Sequence, residues 1–354
     1  MNFVVFVFAF LIFNIVVISH EFGHYFTAKI FGVKVEEFAL GMGPKFFSKR
    51  GKSTFFSMRC LPIGGFCHLE SEDSNLNNET SFFSKSIWEK TIILIAGGVM
   101  NLILGFVFAI ILSYSRGVPT TTVSNFYNTS ISPESGLKIG DEILSINNKK
   151  TFIGRDILFF LHISADESFT VNVMREDRML ILKDVKFPRS QLANGRFCSD
   201  IDFRVVPAEK SLYNMINYSI LDVYSTTRIT MYTIFELIRG RLGIKDMAGP
   251  IGIATQINDI TVNGLKYGVV SAILDVLAFM TMFSVSIGIF NLLPFPALDG
   301  GRIIFLIIEK IRGKRFKEGV EVTFHMLGFC LLIAFMIIVS YNDIARIFGN
   351  FTKK

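Results

Sequence analysis

The sequence predicts a polytopic α-helical membrane protein. Four transmembrane helices carry a polar loop after the first and an inserted β-domain between the second and third. Three observations support this. The 354 residues are 51% hydrophobic, with 38 Phe and a mean hydropathy of +0.47, whereas soluble domains are roughly 45–50% apolar even with Gly counted. Four apolar stretches run long enough to be read as spans, at 3–18, 91–113, 269–293 and 323–341. Between 118 and 187, strand-like runs such as "FTVNVM" and "MLILKDVKF" alternate with turns.

Taken in order, residues 1–31 form the first transmembrane helix. It has no basic segment before it and no small-residue cleavage site, so it reads as a retained span rather than a signal peptide. Residues 32–90 form a polar loop in which "STFFSMRCLPIGGFCHLE" reads as extended strand around a glycine turn, and 71–81 as a surface loop. The second span covers 91–114. In the next segment, 115–190, "SGLKIGDEILSINNKK" resembles the PDZ signature: Gly-Leu-x-x-Gly-Asp, alternating apolar residues, then a turn. Residues 191–268 read as linker strands and an amphipathic helix, with Leu212, Ile216, Ile220, Val223, Met231, Ile234 and Ile238 at helical spacing. A third transmembrane segment at 269–301, a loop at 302–322 and a fourth helix with a tail at 323–354 complete the chain.

Charge orients these elements. Lys34, Lys45, Lys49, Arg50 and Lys52 follow the first span, and Arg302, Lys310, Arg312, Lys314, Arg315 and Lys317 follow the third. Positive loops stay in the cytoplasm, so the N-terminus and the β-domain are expected outside. The net charge of +6 belongs largely to these loops and does not imply nucleic acid. The four cysteines, Cys60, Cys67, Cys198 and Cys330, have no CxxC spacing and predict neither a disulfide framework nor a cysteine zinc site.

Chemistry concentrates in "SHEFGHYF", 19–26, at the end of the first apolar run. His20 and His24 are four apart and share one helix face, a spacing at which two imidazoles can bind one zinc. Glu21 sits beside the metal without being a ligand, placed to take a proton from water activated there. At about 1.5 Å per residue, His20 lies roughly 25 Å along the helix from Phe3, near the inner edge of the hydrocarbon. Ionisable groups at that depth are costly unless they are functional. A hydrolytic zinc usually takes a third protein ligand, for which His68, His325, Asp275 and Glu309 are candidates and Asp299 the best. Asp299 lies in "FNLLPFPALDGG", where Pro294 and Pro296 interrupt an apolar helix and Asn291 and Asp299 flank the break. Broken helices occur at membrane depth only when buried in protein or lining a cavity.

His20-Glu-Phe-Gly-His24 together with Asn291-Leu-Leu-Pro-Phe-Pro-Ala-Leu-Asp-Gly300 resembles the site-2 protease family of intramembrane zinc metalloproteases. The PDZ-like insert points to its RseP-type bacterial branch, with one PDZ copy rather than two. "LPIGGF", 61–66, is similar to the family's membrane re-entrant β-loop, and "AGPIGI", 248–253, to its segment before the third span. "AGGVMN", 96–101, is similar to a motif in which proline usually stands at Gly98. The resemblance implies Zn2+ held by His20, His24 and Asp299, with Glu21 as general base. It also implies substrate contacts from Asn291, Pro294, Gly64 and Gly65. The expected substrates are single-span membrane proteins in the bacterial inner membrane, either anti-sigma factors already shortened outside or signal-peptide remnants. A metal transporter and a non-catalytic PDZ scaffold are the alternatives.

Overall fold

The computed structural model describes residues 3–70, 80–164, 166–191, 197–314, 316 and 319–351. Most of the loop expected at 71–81 therefore lies outside the described residues. The chain divides into two compact units, one of Met1–Phe108 with Gly249–Ser340 and one of Ala109–Ala248 with Tyr341–Lys354.

The first unit holds α1 (Phe3–Ile30), β1 (Val35–Arg50), β2 (Phe55–Leu69) and most of α2 (Ile87–Arg116). After the second unit come α5 (Pro250–Leu265), α6 (Val269–Asn291), α7 (Asp299–Arg312) and most of α8 (Val320–Phe351). Among the described residues, α1, α2, α6 and α8 are long and apolar enough to cross a membrane. Small residues let these helices approach closely, as is usual where lipid removes the hydrophobic drive for association. A Cβ on Gly98 of α2 would lie 2.8 Å from the Gly288 carbonyl of α6, and one on Gly288 would lie 2.7 Å from the Gly98 carbonyl. The same contact line is tied by the Ser284 hydroxyl, which donates to the Asn101 carbonyl at 2.9 Å. Gly98 thus closes a helix crossing, and α2 runs through it unbroken.

One expectation for this unit holds and one changes. The glycine turn is present: residues 55–58 and 65–69 run in opposite directions on the two flanks of 37–40, so β2 folds back between them, with Gly64 at φ 84°. β1 pairs with β2 on both sides: Phe38, Ala39 and Leu40 face Cys67, Phe66 and Gly65 on one flank and Phe56, Ser57 and Met58 on the other. Among the described residues, segment 65–69 has no strand partner beyond β1. The loop expected at 302–322 is instead largely helix. α7 occupies Asp299–Arg312, with its basic residues Arg302, Lys310 and Arg312 on an amphipathic helix that ends at Gly313 in the left-handed region (φ 66°).

In the second unit, β3 (Val118–Phe126), β4 (Glu142–Ile146), β6 (Phe169–Arg175), β7 (Arg178–Val185) and β10 (Phe203–Ala208) form a sheet in the order β10-β3-β4-β6-β7. β5 (Lys149–Lys150) pairs with β4, and β8 (Arg189–Gln191) with β9 (Phe197–Ser199) forms a separate hairpin. α3 (Gly154–Ile163) covers a core that includes Val123, Ile143, Ile157, Leu161, Phe169 and Phe203. Fully burying such side chains contributes about 1.5–3 kcal/mol each. The Gly-Asp of the PDZ-like signature holds the domain together. Gly140 adopts φ 89°, and the fully buried Asp141 receives Arg175 through two bonds of 2.6 and 2.7 Å. This β-domain does not stop at residue 190. β10 pairs with β3 and buries Phe203, so strands expected in a linker belong to the sheet.

α4 (Leu212–Ile238) is amphipathic, but the buried side is not the apolar one. Ser219, Asp222, Ser225, Thr226 and Thr230 are buried, while Leu212, Ile216, Ile220, Tyr224, Phe235 and Ile238 are exposed. The polar side faces buried charge on α3: Asp156 accepts from the Ser225 hydroxyl and pairs with Arg228 at 2.9 Å, and Arg155 pairs with Asp222 at 3.1 Å. A buried carboxylate requires such partners, which is why the polar face turns inward.

Candidate active site

α1 delivers two imidazoles to one point. His20 and His24, one helical turn apart, place their Nε2 atoms 3.3 Å from each other. Asp299 begins α7, after a turn at 292–298, and its Oδ2 lies 3.1 Å from His20 Nε2 and 3.3 Å from His24 Nε2. That oxygen is buried and accepts no well-directed hydrogen bond among the described residues. Two imidazole nitrogens and a carboxylate oxygen thus converge within 3.3 Å of one another. A tetrahedral zinc with bonds of about 2.0–2.1 Å sets its ligand atoms about 3.3 Å apart. The donors have that spacing, so His20, His24 and Asp299 fit the ion that the sequence implies.

The surroundings favour the same use. His24 Nδ1 lies 2.8 Å from the Ile93 carbonyl of α2, an acceptor that takes the ring proton and leaves Nε2 unprotonated toward the cluster. Space for both rings comes from Gly97: a Cβ there would lie 2.4 Å from His24 Nε2 and 2.7 Å from His20 Cε1. Gly97 and the Ile93 carbonyl are parts of the site that the sequence does not signal. "AGGVMN" draws attention only through Gly98, and a backbone acceptor leaves no side-chain signature.

Glu21 points along the same wall, where the Cys67 backbone N–H donates to its carboxylate. A Cβ on Gly65 would come within 3.7 Å of Glu21 Cγ and 2.8 Å of the Ala39 carbonyl, so β2 runs close beside Glu21 because residue 65 has no side chain. A cavity of about 500 Å³ collects His20, Glu21, His24, Asn291 and Asp299, with Phe66, Cys67 and His68 along one side. Arg302, one turn after Asp299 on α7, also lines it.

The other expected residues are placed less directly. Asn291 reaches the cavity, but its Nδ2 donates to the Ile287 carbonyl at 3.1 Å within its own helix. Gly64 (φ 84°) sits against the Met42 side chain, 3.0 Å from a built Cβ, and is not among the residues lining the cavity. Pro294 is exposed on the 292–298 turn and does not line the cavity either, whereas Ala297 of that turn does. The backbone groups freed by the prolines are repaired locally: Leu293 and Leu298 donate to Phe290 and Phe295 carbonyls, and Ala297 N–H donates to His325 Nδ1 at 3.0 Å. Three of the alternative third ligands are occupied elsewhere. His325 closes that turn, Glu309 accepts from Phe316 N–H at 3.0 Å, and His68 lies 3.6 Å from Glu36. Asp275 lies on α6 against Gly264.

A His-His-Asp cluster able to hold a metal, at the end of an apolar helix and beside a cavity, fits a metallohydrolase working at membrane depth. The chain belongs to peptidase family M50, whose match covers residues 8–335. It is an intramembrane zinc metalloprotease and a multi-pass membrane protein. Similar chains include a candidate zinc metalloprotease of Clostridium acetobutylicum, 30% identical over 97% of this chain and 98% of that one. One of Fusobacterium nucleatum is 30% identical over 97% and 99%. The regulator of sigma-W protease RasP of Bacillus subtilis is 27% identical over 96% and 97%.

Proposed function

We propose that the protein cleaves transmembrane segments of single-span membrane proteins, with zinc held by His20, His24 and Asp299 and with Glu21 as general base. The observation that carries this reading is the donor triangle at tetrahedral spacing, with Glu21 and residues 66–69 of the open segment on its cavity wall. Zinc bound there would polarise a scissile carbonyl and acidify a water. Glu21 accepts the proton of the attacking water at its carboxylate and passes it to the leaving nitrogen, while Cys67 N–H fixes the carboxylate's direction.

A helical substrate must unwind before attack, and in lipid each unpaired backbone group costs several kcal/mol. Segment 65–69 can pair with the unwound stretch by strand addition, in a re-entrant loop that brings its edge to membrane depth. Asn291 can offer its amide to a substrate backbone group on the opposite wall.

The substrates are anti-sigma factor-like proteins, already shortened outside, with signal-peptide remnants as a further class; the name of one relative, regulator of sigma-W protease, supports a part in sigma-factor control. The basic loops after α1 and α6 support an orientation in the bacterial inner membrane with the PDZ-like β-domain outside. The exposed apolar side of α4 suits the outer lipid surface.

The test is co-expression of single-span candidates with the native protein and with Glu21→Gln. Loss of cleavage with the zinc at His20, His24 and Asp299 retained is expected, because the Glu21 carboxylate is not a ligand. Cleavage that survives Glu21→Gln overturns the general base. Metal flux that survives it, with no cleavage by either form, identifies a transporter instead.

A further inference from the structure

A second group of metal-type donors lies in the β-domain unit, made by residues that are far apart in sequence. His162 stands in the last turn of α3. Cys198 and Asp200 are two apart on and just after β9, so they share one face of the strand. The ligand atoms of His162, Cys198 and Asp200 all lie within 4.8 Å of one another. His162 Nε2 is 2.7 Å from Asp200 Oδ1, and Ser190 of β8, paired directly with Cys198, donates to Asp200 Oδ2 at 2.6 Å and lies 3.3 Å from Cys198 Sγ.

We infer that His162, Cys198 and Asp200 form a second metal site, which takes a divalent transition ion of zinc's class. A structural pin between hairpin and helix needs only the His162–Asp200 pair. It does not need a thiol turned toward that pair, since a free buried cysteine ordinarily behaves as a small apolar group. Cys198 is 1% exposed, yet its sulfur lies among an imidazole, a carboxylate and a hydroxyl. A sulfur, nitrogen and oxygen donor set selects zinc or cobalt over magnesium or calcium. Bonds of about 2.3 Å to sulfur and about 2.0–2.1 Å to nitrogen or oxygen would set the donors about 3.3–3.6 Å apart. Reaching that spacing separates the His162–Asp200 pair slightly and draws both toward the sulfur. Their side chains are 36% and 41% exposed and free to make that adjustment. On binding, the Cys198 thiol loses its proton to solvent and His162 bonds through neutral Nε2. Ser190 stays on the second carboxylate oxygen as a supporting contact. The exposed side of the cluster leaves a fourth position to water, so the ion exchanges with its surroundings and its occupancy ties the end of α3 to the hairpin.

The site in α1 and α7 has no sulfur ligand, and this separates the two sites spectroscopically. Full-length protein in detergent, stripped of metal and titrated with Co2+, should bind about two ions per chain, one of them with a thiolate-to-cobalt charge-transfer band in the near ultraviolet. Cys198→Ser should remove the band and one ion. His162→Ala and Asp200→Asn, checked for native circular dichroism, should weaken that ion by more than the roughly 10–100-fold that loss of a supporting contact costs. His20→Ala should remove the other ion and leave the band. A stoichiometry of one, or a band that persists in Cys198→Ser, overturns the inference. So does undiminished affinity in folded His162→Ala.

Discussion

At the residue scale, the convergence of His20, His24 and Asp299 was largely legible, because metal chemistry of the kind proposed needs fixed residue types at fixed helical spacing. His20 and His24 announce themselves as one face of a helix, and Asp299 as an acid beside a proline break. The residues that make room were not legible, since a glycine carries no chemistry of its own. Gly97→Ala forces a methyl to within 2.4 Å of His24 Nε2. It should cut zinc affinity and cleavage together, by about 10- to 100-fold, as for a lost supporting contact, with secondary structure unchanged. Zinc content by atomic absorption checks this, and full zinc with full turnover would show that the rings can shift aside. Acid sensitivity has a separate source. Glu70, held by the Lys34 ammonium at 2.6 Å and the Thr80 hydroxyl at 2.5 Å, keeps its carboxyl below the ordinary range. A carboxylate depressed in the folded state adds stability that is present above its unfolded pKa and lost as pH falls through its folded one. The contribution is about 1 kcal/mol, since the lysine is half-exposed. Thermal unfolding of Glu70→Gln should therefore show a lower midpoint at pH 7 and a smaller loss between pH 6 and 3 than the native chain. Parallel curves would remove Glu70 from the account.

At the element scale, apolar length identified the spans, while what lies on each face of the other elements was harder to read. The turn in β2 was legible because two glycines in a row usually signal one, and the chain reverses there. That Gly65 also lets the returning strand pass close to Glu21 was not legible. α4 was legible as an amphipathic helix, but not which side the protein holds: its polar positions Asp222 and Arg228 pair with Arg155 and Asp156 of α3. Such tertiary charge pairing is invisible to periodicity. The role of β2 is tested by Gly65→Ala, whose methyl meets the Ala39 carbonyl at 2.8 Å and pushes the strand away from Glu21. Cleavage should fall about 10- to 100-fold, as for a misplaced reacting group, while zinc binding stays native. A variant cleaving at the native rate would mean that the position of the edge does not matter.

At the scale of the whole molecule, charge bias and span count gave a topology that labelling can check. Cys198 is a poor reporter because it is buried, but Met179 is 63% exposed on β7. Met179→Cys should react with an impermeant maleimide in intact cells, and the exposed native Cys60 should react only after permeabilisation. The reverse pattern would invert the protein. The β-domain's part in substrate choice is tested by deletion, and the pairing of β10 with β3 sets where to cut. Removing 118–187 alone would strand β10, so the deletion should run from 118 to 208 with a short linker. A domain of about 90 residues has a radius of gyration near 12 Å, enough to obstruct a bulky external substrate. If it acts as a size filter, the deletion should admit full-length substrates and still cleave trimmed ones. Slower cleavage of trimmed substrates, with nothing new admitted, would make the domain a recruiter of peptide ends.

The closeness of Gly97 to both imidazoles has a consequence for how such proteins lose their activity over evolutionary time. If the Gly97→Ala prediction holds, a descendant needs no change in His20, Glu21, His24 or Asp299 to become a pseudoenzyme, because one methyl group at position 97 would crowd both imidazoles. Its signature would read as intact to any motif search, while the protein kept its spans, its β-domain and its hold on substrates. Among chains with an unbroken His-Glu-x-x-His, the residue facing it from the second helix is the one to inspect before an activity is inferred from sequence.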